Sequence, residues 1–178
     1  PRRLAIRGGS AGGWTVLAAL TGTDVFACGT SYFGVAELLQ FAQDTHDFES
    51  RYLDGLVGPL PEMRARYEER APLNHVDDLS CPVLLLQGLD DPVVPPSQSE
   101  QFRDAMVRKG IKNGLVSTVD RNADRFFALY ADNVHRHGTP AMPKRYFDTL
   151  LQVFGPDCEV LTVTGPDGSY LFAKIATD

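Results

Sequence analysis

Short apolar runs alternate with amphipathic stretches over the first two-thirds of the chain. Residues 3–8, "RLAIRG", predict a strand, and residues 10–22, "SAGGWTVLAALTG", the helix after it, with Trp14, Leu17, Ala18 and Leu20 near helical spacing. Residues 25–28 predict a second buried strand closed by Gly29, and residues 34–43 a second helix. Residues 47–72 read as helical pieces broken around Gly58 and Pro61. In "CPVLLLQG", residues 83–86 form the nearly unbroken apolar run that a parallel sheet favours. The next helix, in residues 95–110, carries Phe102 and Met106 on one face, with Ser97 or Ser99 as its cap and Gly110 as its stop. Strands alternating with helices predict a parallel α/β sheet covered on both faces.

The pattern changes after "KGIKNG". Instead of another strand, residues 123–138 read as a helix on which Phe126, Phe127, Tyr130 and Val134 share an apolar side. A second amphipathic helix follows Pro143, and residues 158–176 read as a hairpin around Gly-Pro-Asp-Gly. The expected boundary falls in residues 112–116, separating an α/β part, 1–112, from a short α+β part, 113–178.

At the first strand–helix junction, "RGGSAGGW" sets Ser10 between two pairs of glycines. Gly8-x-Ser10-x-Gly12 fits a strained bend that lifts a nucleophilic hydroxyl clear of a sheet, where small neighbours are needed. The Ala11 backbone N–H can then point at a developing oxyanion. The competing reading is a glycine-rich turn that packs tightly or holds a phosphate. Against it, no Gly-Lys-Ser/Thr follows and the glycines miss Gly-x-Gly-x-x-Gly spacing. Beyond the later buried strand, "LLLQGLDDPVVPP" places Asp91 where a sheet enzyme would hold the carboxylate that orients its base. The alternative is a turn-forming aspartate, as Asp-Pro sequences often are. Tyr32 and Phe33, after the second strand, are candidates to line a substrate pocket or to serve the core.

The stretches "GGSAGGW", "SYFGVAELL", "YEERAPLNHVDDLSCPVLLLQGLDDPVVPPSQSEQF" and "RKGI" resemble the carboxyl-terminal part of the catalytic domain of the prolyl oligopeptidase family, in its acylaminoacyl-peptidase and dipeptidyl-peptidase-like branch. The resemblance covers residues 2 to about 111 and implies a partial α/β-hydrolase fold and a serine peptidase acting on short peptides without a cofactor. It implies Ser10 as nucleophile, Asp91 as triad acid and Ala11 as one oxyanion-hole amide. The family's histidine, in a Gly-x-x-His-Gly loop after one more strand, has no counterpart, because the chain reads "LVSTVDRNADRFF" there. Of the four histidines, His75 fits a structural place and His46 a solvated acidic segment. His135 and His137, downstream of Asp91, are weak candidates for a substitute base; their place at a helix end better fits a pair favoured by the dipole, with no third ligand that would make them a metal site. Little or no peptidase activity is therefore expected of this chain alone.

Residues 126–163 are similar to the start of a FemAB-like acyltransferase domain of the GNAT superfamily, which implies two helices leading into the first strands of its sheet. An acyltransferase fragment is thus one alternative, and a non-catalytic α/β module is another. In the latter, copies would associate through an open sheet edge.

Composition narrows the field further. The formal charge of −6, with both signs interspersed, offers no stripe for nucleic acid. No apolar stretch reaches the roughly 20 residues needed to span a bilayer. Three widely spaced cysteines suggest neither a disulfide framework nor a metal site and fit a reduced, cytoplasmic setting. The chain opens at Pro1, without methionine and directly before its first strand, and so reads as a piece of something longer.

Overall fold

The computed structural model describes residues 4–44, 52–136 and 138–177; His46 and His137 lie outside them. Two compact units emerge, Pro1–Lys109 and Gly110–Asp178.

The first unit holds a three-stranded parallel sheet ordered β1-β2-β3, comprising β1 (Ala5–Gly9), β2 (Cys28–Tyr32) and β3 (Val83–Leu86). Helix α1 (Ala11–Gly22) links the first two strands. Helices α2 (Leu38–Asp44), α3 (Tyr52–Leu56) and α4 (Arg64–Arg70) and a 3₁₀ segment, Pro72–Asp78, lie between β2 and β3, and α5 (Pro96–Lys112) follows β3.

β2 lies further along the chain than its apolar run predicts. Val25 is 50% exposed, and the strand is built from Cys28, Gly29, Thr30, Ser31 and Tyr32. Packing explains the shift: α1 presses so closely on β2 that a Cβ on Gly29 would sit 2.3 Å from Leu20 Cδ1. Ser31 is likewise buried beneath α1, its Oγ against the Gly13 carbonyl at 3.4 Å. Small residues there are the condition for helix–sheet contact, so the strand escapes a search for apolar β-formers.

The sheet is covered by helices on one face rather than both. Val83 and Leu85 pack with Leu17 of α1 and Phe102, Ala105 and Met106 of α5. The strand period of two turns Leu84 and Leu86 to the other face, where Leu84 is 53% exposed. The unbroken apolar run of β3 is therefore half-buried, not wholly buried. A second core gathers Val35, Leu38, Phe41, Leu53, Val57, Tyr67, Ala71 and Val94.

Helix α5 begins at Pro96, whose missing N–H costs nothing in a first turn. Ser97 and Ser99 thus lie inside the helix rather than capping it, and Ser99 Oγ donates to Gln87 Oε1 at 3.0 Å. The helix passes Gly110, ends at Lys112, and the chain turns at Gly114, whose φ is 79°.

The second unit carries a three-stranded antiparallel sheet, β4 (Val116–Asp120), β5 (Cys158–Thr164) and β6 (Tyr170–Thr177), with helices α6 (Ala123–Arg136) and α7 (Lys144–Val153). A strand does therefore follow "KGIKNG", contrary to expectation, but its partner is β5. Its residues are mostly exposed, so no apolar run announces it. Phe126, Tyr130 and Phe147 interlock at centroid distances of 4.8–5.7 Å, over Cys158 and Val160 of β5.

Candidate active site

Ser10 sits between the last residue of β1 and the first of α1. Its backbone has φ 54° and ψ −122°, a region L-residues rarely occupy, at a cost of about 1–3 kcal/mol. Two bonds hold it there: its N–H donates to the Tyr32 carbonyl at 3.0 Å, and its carbonyl accepts from Trp14 N–H at 3.0 Å. The side chain makes no capping bond to α1 and is exposed. Ala11 N–H is among the first donors of α1, which a helix cannot satisfy internally. The bend therefore presents a free hydroxyl beside an unsatisfied N–H at a helix start.

The same construction repeats one strand across. Phe33 also has positive φ, 38°, and its N–H donates to the Leu86 carbonyl at 2.7 Å. Backbone bonds thus step from the end of β1 to β2 and from β2 to β3, locking three carboxyl ends into one rim. Phe33 is 40% exposed, and two of its ring carbons lie 3.2 Å from where a Cβ on Gly9 would stand. The ring therefore rests against the residue preceding Ser10. Tyr32 closes β2, half-buried, on the open face of the sheet.

Asp91 follows β3 on the same rim, so one strand separates it from Ser10 in the sheet order. Its Oδ1 accepts from the N–H groups of Val93 and Val94, each at 2.9 Å, the pattern of a turn-forming aspartate. Both bonds use Oδ1, leaving Oδ2 outside them. The loop is anchored from below: Val94 is buried, and Gln87 Nε2 donates to its carbonyl at 2.9 Å.

Of the described histidines, His75 belongs to the first unit and His135 to the second. His75 Nε2 lies 2.6 Å from the Glu69 carbonyl, in the 3₁₀ segment. It borders a cavity of about 1050 Å³ that runs along α1 from Trp14 to Asp24, away from the Ser10 rim. His135 lies in the last turn of α6, in the second unit. Among the described residues of the first unit, no imidazole joins Ser10 and Asp91 at the rim. No three His, Cys, Asp or Glu side chains gather as a metal site would require, again among the described residues.

Gln98 supports the rim and is absent from the sequence reading. It is fully buried; its Oε1 accepts from Ala36 N–H at 2.9 Å and Glu37 N–H at 2.8 Å, and its Nε2 donates to the Glu37 carbonyl at 3.1 Å. One side chain on α5 thereby clamps the loop that leads from Phe33 into α2. Its signal in the sequence is a polar residue four positions before Phe102, on the face that packs inward.

Comparison with known proteins bears on the family and the fold. A structure titled as a puromycin-hydrolyzing peptidase of Mycobacterium tuberculosis superposes with a TM-score of 0.59 at 67% identity, covering 60% of this chain and 16% of that one. The dipeptidyl aminopeptidase BIII of Pseudoxanthomonas mexicana is 33% identical over 115 residues, 61% of this chain and 17% of its own length. Dipeptidyl peptidase family member 6 of Caenorhabditis elegans is 32% identical over 115 residues, again 61% of this chain and 16% of its own. This chain thus spans about a sixth of the curated relatives it matches. The profile of the prolyl oligopeptidase family matches residues 1–140, past the expected boundary and through the whole of α6. With its sheet order, its strained serine bend and that match over most of its length, the chain belongs to the prolyl oligopeptidase family.

Proposed function

We propose that this chain carries the nucleophile and acid of a serine peptidase centre that cleaves amide bonds in short peptides. Ser10 Oγ attacks the carbonyl carbon, and Ala11 N–H donates to the oxyanion that forms. Collapse expels the amine and leaves an acyl group on Ser10; water then releases the acid and restores the hydroxyl. Asp91 orients the imidazole that takes the serine proton when one is supplied. Tyr32 and Phe33 line the pocket for a substrate side chain, Phe33 from its position over Gly9.

The observation that carries this reading is the Ser10 backbone, φ 54° and ψ −122°, held by bonds on both sides while its hydroxyl stays exposed. Without an imidazole, turnover should fall by roughly 10⁴ to 10⁶ relative to an intact centre, because triad members act as a unit. An aminoacyl amide such as puromycin is a natural first substrate, given the relative at 67% identity.

Fluorophosphonate labelling followed by peptide mapping tests the proposal. The expected result is slow labelling at Ser10, at least a thousandfold below an intact family member, and none in Ser10→Ala. Labelling as fast as the intact enzyme's would refute the missing base. Undiminished labelling in Ser10→Ala would refute the nucleophile.

A further inference from the structure

The loop that carries Asp91 runs from Gln87 to Val94, and one carboxamide closes its neck. Gln87 Nε2 donates to the Val94 carbonyl at 2.9 Å and to the Gly88 carbonyl at 3.3 Å. Both partners can only accept, so the amide cannot turn over without setting oxygen against oxygen. Its Oε1 is used as well, accepting from Ser99 Oγ at 3.0 Å. Ser99 lies in the first turn of α5, so the loop after β3 is tied to the helix that follows it.

Val94 is thereby fixed on three sides. Its side chain is 1% exposed in the core, its carbonyl is held by Gln87, and its N–H donates to Asp91 Oδ1 at 2.9 Å. Val93 N–H donates to the same oxygen, also at 2.9 Å. With Oδ1 committed to two backbone groups, the direction of Oδ2 depends on where Val93 and Val94 are held. The preceding residue of α5 works in parallel: Gln98 clamps the loop behind Phe33, while Ser99 reaches the loop of Asp91 through Gln87. Neighbours on one helix thus serve two loops of the same rim.

We propose that Gln87 and Ser99 are positioning residues for the triad acid, acting through Val94 to fix the Asp91 carboxylate. This role rests on the reading of Asp91 as the group that orients the base. Three substitutions separate its parts. Gln87→Glu keeps the shape but sets an oxygen where an N–H faced the Val94 carbonyl. Ser99→Ala removes only the tie to α5, and Ser99→Thr keeps the hydroxyl that makes it.

Hydrogen exchange on the full chain reads the clamp at the Val93 and Val94 amides, which Asp91 Oδ1 protects. Ser99→Ala should speed both by about tenfold and Gln87→Glu by more, while Ser99→Thr restores the original rates. The Ser10 amide, bonded to the Tyr32 carbonyl, should not change. Unaltered exchange at Val93 and Val94 in both Ser99→Ala and Gln87→Glu would overturn the clamp. Fluorophosphonate labelling of Ser10 with free imidazole added then tests action through Asp91. Imidazole should accelerate labelling of the unsubstituted chain; Gln87→Glu should cut that acceleration about tenfold, yet have no further effect in an Asp91→Ala background. An equal loss in that background would show an effect that bypasses Asp91, and overturn the positioning role. Labelling indifferent to imidazole would overturn the triad reading, and the positioning role with it, even where exchange shows the clamp intact.

Discussion

Gly8 on β1 and Gly12 on α1 approach so closely that a Cβ on Gly8 would lie 2.4 Å from the Gly12 carbonyl oxygen. Nothing flexible stands in the way; the obstacle is backbone. The first helical turn therefore folds back over the strand that feeds it, which is what makes the Ser10 bend sharp. Gly8→Ala should destabilise the first unit by about 1–3 kcal/mol, as overpacking does, or force α1 away from β1. Urea unfolding followed by circular dichroism gives the loss, and fluorophosphonate labelling should fall in parallel as Ser10 loses its position.

Strain at Ser10 predicts an inverted order of substitutions. A left-handed non-glycine residue costs roughly 1–3 kcal/mol, whereas glycine loses about 0.5–1 kcal/mol more chain entropy on folding. Ser10→Gly should therefore be more stable than Ser10→Ala by about 1 kcal/mol. Paired denaturation curves decide it, and equal stabilities would mean that the bend holds no strain.

Gln98 satisfies three backbone groups from a wholly buried position. Gln98→Leu keeps the bulk but orphans those groups, at about 1–3 kcal/mol each before relaxation, so a net loss of about 3 kcal/mol or more is expected. Gln98→Glu can still accept from Ala36 and Glu37 N–H but cannot donate to the Glu37 carbonyl, and should fall between the two. Hydrogen exchange should show the loss first at the Ala36 and Glu37 amides.

Alkaline pH should weaken the first unit through Tyr67. Burial first, and the Asp54 carboxylate second, raise its phenol above the ordinary value of 10.0, and its hydroxyl donates to the Gly58 carbonyl at 3.0 Å. The folded state keeps the proton that the unfolded chain gives up near pH 10, so unfolding releases it. Stability from this group is complete below that pH and is lost as pH rises through the folded value. Tyr67→Phe should be less stable at neutral pH, having lost the bond, yet show a shallower decline above pH 10. An unchanged alkaline slope in Tyr67→Phe would rule the phenol out.

The bend at Ser10 was more legible than the sheet around it. Gly8-x-Ser10-x-Gly12 names a local bend, and the bend is present because its causes lie within five residues. Residues 25–28 misled because the chosen strand holds Gly29 and Ser31, whose value is the room they leave for Leu20 and α1. β4 went unread because its side chains are mostly exposed, and only pairing with β5 makes it a strand. Gln98 was passed over because a glutamine looks like a surface residue until the amides it serves are brought to it.

What the amino-acid order determined by itself is what neighbours in the chain can enforce: the strand–turn–helix at Ser10, the two amphipathic helices and hairpin near the end, and an Asx turn at Asp91. Tertiary structure alone decided the register of β2, the bare sheet face carrying Leu84 and Leu86, the separate sheet that takes β4, and the rim on which Ser10, Phe33 and Asp91 emerge. The division has one cause. Dihedral preference and capping act over a few residues, whereas strand pairing and close packing join groups that the chain itself keeps dozens of positions apart.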